Sequence, residues 1–155
     1  MQNNVIDITK ILGMKGVLRM PNDLITPENV SNELLRDLFE SAYADFTVDE
    51  DGDIYLHEQV DVYLSISNNK YYIQAWSSYL FKEDAAESDK LAAVNNINAN
   101  YAIVKSWVSN NVRIVFVHDF FIAGGITKKS LVLGIKRFAS IPRDAVRDYA
   151  EDLVK

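Results

Sequence analysis

The segment Val60-Asp61-Val62-Tyr63-Leu64-Ser65-Ile66-Ser67 decides the fold class of this chain. Its aliphatic side chains fall at every second position, a period that is typical of a β-strand with one buried face. The polar run Ser67-Asn68-Asn69-Lys70 follows and predicts a turn, and residues 71–80 predict a returning strand. The segment therefore predicts an antiparallel hairpin around which the rest of the fold is built.

Further strands are predicted on both sides of this hairpin. Before it, residues 44–48 and 53–57 flank the acidic turn Asp49-Glu50-Asp51-Gly52. After it, residues 101–108 and 112–122 flank a turn of serine and asparagines. All of these connections are short, which favours antiparallel neighbours.

Three helices are predicted around the strands. The first begins at Thr26-Pro27, a hydroxyl cap followed by proline, and extends to about residue 42. The second covers about residues 83–98, and the third begins at Thr127 and ends or kinks at Pro142. The apolar side of the second helix is predicted to comprise Leu91, Ala93, Val94 and Ile97.

These elements predict an α+β fold in one domain. We expect an antiparallel sheet of about five strands flanked by helices, in the order α-β-β-β-α-β-β-α, within residues 26–155. Residues 1–25 are an N-terminal extension of uncertain structure, in which Ile8, Ile11 and Leu12 favour a short helix.

Composition excludes several classes of site. The chain has 155 residues and no cysteine, which excludes disulfides, thiolate zinc sites, iron–sulfur clusters and cysteine nucleophiles. Its longest mostly apolar stretch, residues 112–126, is interrupted by Arg113, His118 and Asp119, so no membrane span is predicted. The N-terminus lacks a secretory apolar region, and we expect a cytoplasmic location.

The charge distribution is uneven. Residues 1–100 carry seven Lys/Arg against seventeen Asp/Glu, a balance of −10, whereas residues 101–155 carry nine against five, a balance of +4. An acidic surface repels phosphate backbones, so nucleic acid is not an expected partner. The C-terminal basic residues are either a solvated helix face or a patch that binds an anion or a partner.

The candidate metal and catalytic motifs are weak. Counted from Asp49, glycine falls fourth and the twelfth residue is Val60, so the calcium-loop template fails and a hairpin turn or an incidental cation site remains. His57 lacks the second histidine of a zinc-protease helix. His118 is either a core histidine or one member of a metal or acid–base site with His57. Gly124-Gly125 is either a tight connection or an anion-binding loop. The sequence predicts no catalytic residue, cofactor or metal ligand.

The order of several short motifs carries a family resemblance. They are the helix before Asp51-Gly52-Asp53-Ile54, the strands 60–66 and 72–76, the helix end Asn95-Asn96-Ile97-Asn98, the strand 112–117, and Gly124-Gly125-Ile126-Thr127 opening the helix toward Phe138. From about Thr26 onward the chain resembles the YbjN family, which is named for bacterial sensory transduction. The resemblance implies a fold similar to the type III secretion chaperones, a curved sheet flanked by helices and often paired into dimers. It also implies a binding or adaptor role without enzymatic chemistry.

The second face of the sheet supplies the candidate binding residues. If Val62, Leu64 and Ile66 face the helices, strand parity places a set of large apolar side chains on the opposite face. This set comprises Tyr63, Tyr72, Trp76, Ile103 and Trp107. The chain's own helices or N-terminal segment, a second copy of the chain, or a bound client protein are the three candidates to cover it.

Three functional classes follow from the sequence. The first is a non-enzymatic, chaperone-like protein that binds a protein partner or itself as a homodimer. The alternative is a toxin-neutralising or otherwise inhibitory partner, because a small acidic domain suits that role through charge complementarity. The third is an enzyme of unrecognised type, which would need a cleft joining a histidine to carboxylates.

Overall fold

A computed structural model describes residues 23–155 of the chain. The helices are α1 (Asn32–Ser41), α2 (Glu87–Asn100) and α3 (Lys128–Tyr149), and a short 3₁₀ helix covers Glu151–Leu153. The strands are β1 (Leu24–Ile25), β2 (Phe46–Val48), β3 (Ile54–His57), β4 (Asp61–Ile66), β5 (Tyr72–Leu80), β6 (Lys105–Ser109), β7 (Arg113–Phe121) and β8 (Ile126–Thr127).

The main sheet has six strands in the order β2-β3-β4-β5-β7-β6, and β1 pairs with β8 in a second, two-stranded sheet. Every pairing is antiparallel. This confirms the predicted α+β class. Of the main sheet, four strands precede α2 rather than the three in the predicted order: β2, β3, β4 and β5. Each of these four corresponds to a strand segment that the sequence predicts, so the predicted order counted one strand too few. The sheet therefore has one strand more than the five expected.

The hairpin of β4 and β5 forms as its alternating sequence predicts. Leu64 pairs with Ala75 across the two strands. Val62, Leu64 and Ala75 are buried, on what we call the first face of the sheet. The turn between β6 and β7 holds Asn110 and Asn111 at φ of 49° and 58°, the left-handed geometry that a tight hairpin turn of this kind requires.

Helix α1 begins later than its sequence predicts. The carbonyl of Thr26 accepts hydrogen bonds from the N–H groups of Asn29 and Val30, which closes a turn before the helix. Ser31 is the actual cap, since its hydroxyl accepts from the N–H of Leu34 at 3.1 Å. The prediction of a cap at Thr26 was wrong because a second hydroxyl cap lies one turn farther along.

The other two helices also differ in detail from their predictions. In α2, Lys90 is buried and Leu91 is 49% exposed, so the buried side is rotated relative to the predicted one. In α3, Thr127 caps the helix as predicted, with its hydroxyl accepting from the N–H of Ser130. Helix α3 continues through the buried Pro142 to Tyr149 instead of ending there.

The three helices bury their apolar side chains in one cluster with the first face of the main sheet. Ile25 of β1 is fully buried in this cluster, so the core begins within the segment predicted as an extension. The short helix predicted near Ile8 lies outside the described residues. Between residues 23 and 155, no helix is long and apolar enough to cross a bilayer.

Candidate partner-binding site

One continuous row of cross-strand pairs runs across the second face of the sheet. Each pair lies on adjacent strands, so all six side chains leave the sheet on the same side. The row consists of Thr47, Tyr55, Tyr63, Trp76, Val117 and Lys105, in order from β2 to β6. The centre of this row is therefore aromatic and aliphatic, with Thr47 and Lys105 at its two ends.

The aromatic side chains of this row contact one another directly. The rings of Tyr55 and Tyr63 meet edge to face at 4.4 Å, and Tyr63 stacks on Trp76 at 4.2 Å with the planes 16° apart. The Tyr55 hydroxyl donates to a carboxylate oxygen of Asp49 at 2.8 Å. This hydrogen bond lowers the pKa of Asp49 and raises the pKa of Tyr55. The row is thereby anchored to the turn between β2 and β3.

A second group of side chains on this face reaches solvent. Trp107 is 40% exposed, Tyr72 38% and Phe121 58%, and the last two rings lie 5.4 Å apart. Val115 and Val117 of β7 are buried on this face but lie outside the core cluster of the first face. We use the name aromatic face for the set Tyr55, Tyr63, Tyr72, Trp76, Trp107, Val115, Val117 and Phe121.

Four of the five predicted binding residues lie on the aromatic face: Tyr63, Tyr72, Trp76 and Trp107. Ile103 does not. Its φ of 65° takes the backbone out of the extended region, and it lies in a bend before β6 begins at Lys105. The predicted strand over residues 101–108 was thus too long at its start. A binding role for the four residues stays a prediction.

Strand parity could have found the residues that the sequence prediction omitted. Tyr55 alternates with the buried Ile54 and Leu56 in β3, which places it on the second face. Val115, Val117 and Phe121 alternate in the same way with the first-face residues of β7. The signal was weak because β7 is apolar on both faces, and a period of two then does not separate inside from outside.

Polar side chains lie within and beside the aromatic face, and the pair of Gln74 and Asp119 separates Tyr72 and Phe121 from Trp76 and Val117. Gln74 donates to a carboxylate oxygen of Asp119 at 2.7 Å across β5 and β7. Arg113 donates to the hydroxyl of Ser78 at 3.1 Å. Protein–protein interfaces combine aromatic side chains with several hydrogen-bonded polar groups, and this face has both.

The acidic turn after β2 is a hairpin turn. The carboxylate of Asp49 accepts from the N–H groups of Asp51 and Asp53 as well as from Tyr55. Gly52 has a φ of 87°, which glycine adopts without strain. Among residues 23–155, no group of three or more His, Asp or Glu side chains is arranged to hold a metal ion.

The two histidines lie in separate places. His57 on β3 is within hydrogen-bond distance of Thr47 and Asp61, at 3.2 and 3.1 Å. His118 is partly buried on the first face, where its ring meets Phe120 edge to face at 4.4 Å. They do not form the shared acid–base or metal site that was one alternative.

The glycine pair and the C-terminal basic residues have local roles. Gly125 closes a turn, with a φ of 79° and its N–H donating to the carbonyl of Ile122. On α3, Arg147 pairs with Asp144 at 2.9 Å and with Asp148 at 3.1 Å. These ion pairs are typical of a solvated helix face.

Comparison with known protein families agrees with this architecture. Residues 31–148 match the profile of YbjN, described as "Putative bacterial sensory transduction regulator". The chain belongs to the YbjN family. Among curated proteins, none matches the sequence significantly.

Two solved structures share the fold of this YbjN-family chain. One is the crystal structure of YbjN from E. coli, titled a "putative transcription regulator", at 15% identity and a TM-score of 0.69 over 81% of this chain and 96% of that one. The other is a chain of the HopA1–SchA chaperone–effector complex, at 15% identity and a TM-score of 0.52 over 77% and 91%. The YbjN fold and the chaperone fold are therefore both similar to this one.

Proposed function

We propose that this YbjN-family chain is a non-enzymatic, chaperone-like adaptor of the cytoplasm, and that two copies pair through their aromatic faces. The single observation that carries the proposal is the aromatic face itself. It is a largely aromatic surface on the side of the sheet away from the helix core, crossed by the polar pair of Gln74 and Asp119, with Trp107 and Phe121 open to solvent.

The composition of this face favours protein over other ligands. Tyrosine and tryptophan offer a large contact area with few rotors to immobilise, and they are enriched at the centres of protein interfaces. The surface is an open sheet face, whereas small-molecule sites are usually enclosed clefts. The family and the chaperone-like fold support the same class of function.

Self-association is the first test. Light scattering at micromolar concentration should give about twice the 17.6 kDa chain mass. Trp107→Glu should give the monomer mass while circular dichroism stays native, because the charge would be buried only in the dimer. Leu133→Glu is the control, since Leu133 is an exposed apolar residue on α3 and should leave the dimer intact.

Three results would contradict the proposal. A wild-type monomer at every accessible concentration would exclude pairing. Loss of the native fold in both Trp107→Glu and Phe121→Glu would show that the aromatic face is needed for folding and is not a binding surface. An equal loss of dimer in Leu133→Glu would show that the effect is not specific to this face.

The adaptor role needs a separate measurement. The wild-type chain and Leu133→Glu should capture the same proteins from native lysate, identified by mass spectrometry. If capture depends on the dimer, Trp107→Glu should lose them. Binding to a single basic nuclease-like toxin would instead favour the toxin-neutralising alternative.

A further inference from the structure

The outer edge of β2 has backbone groups that are available for another strand. The N–H of His57 donates to the carbonyl of Asp45, and the N–H of Asp49 donates to the carbonyl of Asp53, so odd-numbered residues of this strand bond to β3. The N–H and C=O groups of Phe46 and Val48 therefore point away from the sheet. Within residues 23–155, no strand pairs with this edge.

The opposite edge of the same sheet is partly occupied by a side chain of α2. The side-chain amide of Asn98 on α2 donates to the carbonyl of Ser106 at 3.0 Å and accepts from its N–H at 2.8 Å. It thereby occupies the outward backbone groups of Ser106, near the start of β6, as the peptide unit of a neighbouring strand would. Edges left open are templates for strand addition, so β2 is the edge of the main sheet that can accept a partner strand.

The surroundings of β2 are strongly acidic. From residue 37 to residue 69 the chain has nine Asp/Glu and no Lys or Arg. Asp45 and Asp49 flank β2 on either side, and the ion pairs among residues 23–155 include neither. The carboxylate of Asp49 is held by hydrogen bonds within its hairpin, so Asp45 is the one that can pair with a cation. A strand that adds here meets a carboxylate at each end, which selects a segment with lysine or arginine.

The same two carboxylates disfavour pairing of β2 with its own copy. Two copies related by a two-fold axis would pair antiparallel about Thr47. Phe46 would then lie opposite Val48, and Asp45 opposite Asp49 of the second copy. Like charges directly opposite each other destabilise a strand pair, so a basic segment fits this edge better than a second acidic one.

Tyr43 provides apolar contact area beside this edge. It follows α1 with a φ of 53°, a left-handed position where helices usually end on glycine, and its side chain is 95% exposed. A tyrosine that is strained and exposed at once contributes little to folding. Its place just before β2 suits contact with a segment bound there.

We propose that β2 accepts an extended, lysine- or arginine-containing segment of a partner protein as a seventh strand of the main sheet. The outward groups of Phe46 and Val48 bond to its backbone, Asp45 pairs with one of its cations, and Tyr43 covers one of its side chains. This rests on the proposed adaptor function and names the chemical class of the partner.

The test uses two synthetic peptides of equal length, one of alternating lysine and valine and one of alternating glutamate and valine. NMR titration of the full chain with the lysine peptide should shift the amide signals of residues 45–49 and slow hydrogen exchange at Phe46 and Val48. The glutamate peptide should do neither. Equal binding of both peptides, or shifts only at β6, would overturn the proposal.

Three variants at the edge and one remote control variant make the test specific. Val48→Pro removes one outward N–H on an edge strand that can tolerate proline, and it should abolish binding of the lysine peptide. Asp45→Lys should weaken binding about three- to tenfold, and Glu151→Lys, with the same charge change at a remote exposed site, should weaken it less. Tyr43→Gly should weaken binding without lowering the melting temperature. An equal effect of Asp45→Lys and Glu151→Lys would show that the overall charge of the chain, and not this edge, governs peptide binding. That result would overturn the proposal.

Other occupants of the edge give different results. If residues 1–22 of the same chain occupy it, Phe46 and Val48 exchange slowly before any peptide is added, at every protein concentration. If a second copy occupies it, their exchange slows as concentration rises. Either result overturns the proposal. Trp107→Glu should leave peptide binding unchanged, so failure here is distinguishable from failure of the aromatic-face dimer.

Discussion

Tyr63 on β4 and Trp76 on β5 are direct cross-strand partners whose rings stack at 4.2 Å, 16° from parallel. Stacked aromatic pairs contribute about 0.5–1.5 kcal/mol beyond the area that they bury. A double-mutant cycle of Tyr63→Ala and Trp76→Ala, measured by denaturant unfolding, should give a coupling free energy in this range. The more exposed and tilted pair of Tyr72 and Phe121 is the matched control and should couple less. A coupling near zero for Tyr63 and Trp76 would contradict a structural role for the stack.

The position of this pair was predictable, and the reason lies in its strands. Leu64 and Ile73 are buried on one face, so their neighbours Tyr63 and Tyr72 had to lie on the other. Parity cannot, however, anticipate a break in the strand itself. Ile103 was placed wrongly because nothing in its sequence indicates that the backbone there is left-handed.

The buried side of α2 shows a second limit of pattern analysis. Lys90 is buried because its ammonium group bonds to the carbonyl and side-chain oxygens of Asn111, at 2.9 and 3.1 Å, and lies 5.2 Å from the centre of the Phe81 ring. These partners are distant in sequence, and the lysine displaces Leu91 from the buried position that hydrophobicity alone predicts. The spacing of hydrophobic residues in the sequence does not reveal tertiary contacts of this kind.

Removal of metal ions should leave the stability of the chain unchanged. The carboxylate of Asp49 already accepts three hydrogen bonds within its turn, so it needs no cation. Neither a chelator nor added calcium should shift the melting temperature, because a ligand that binds only the folded state would raise it. Asp49→Ala should lower the melting temperature and Asp51→Ala should lower it less. A fall of several degrees on chelation that calcium restores would establish a cation site.

Tyr101 should titrate far above an ordinary tyrosine. Desolvation and the hydrogen bond from its hydroxyl to Asp148, at 2.6 Å, raise the pKa of Tyr101 from 10.0 to about 12. The folded state thus holds this proton more tightly than the unfolded state. The resulting stabilisation is fully present below pH 10 and is lost as the pH rises toward 12.

The Tyr101→Phe variant isolates this titration. The difference in unfolding free energy between wild type and Tyr101→Phe should shrink between pH 10 and 12. In a pH titration followed by tyrosinate absorbance, the variant should lack the step that wild type shows at the highest pH, which is the latest step. Tyr71→Phe, at an exposed tyrosine, is the control and should leave that latest step in place. A wild-type chain whose tyrosines all titrate near 10 would contradict the prediction.

Gly134→Ala should destabilise the protein although it lies inside helix α3. In an exposed helix interior this change usually stabilises by about 0.5–1 kcal/mol, because glycine loses more backbone entropy on folding. Here a Cβ atom would lie 2.6 Å from Cε1 of the Phe120 ring, which is itself nearly buried. Overpacking of this kind costs about 1–3 kcal/mol, so steric conflict outweighs the helix propensity. Denaturant unfolding should therefore give a lower unfolding free energy for Gly134→Ala than for wild type.

Gly124→Ala is the control, because nothing lies within 4 Å of its Cβ position, and it should be neutral or slightly stabilising. In the background of Phe120→Leu, which removes the ring, Gly134→Ala should become less costly. A stabilising effect of Gly134→Ala in the wild-type background would show that helix and sheet approach less closely at this point.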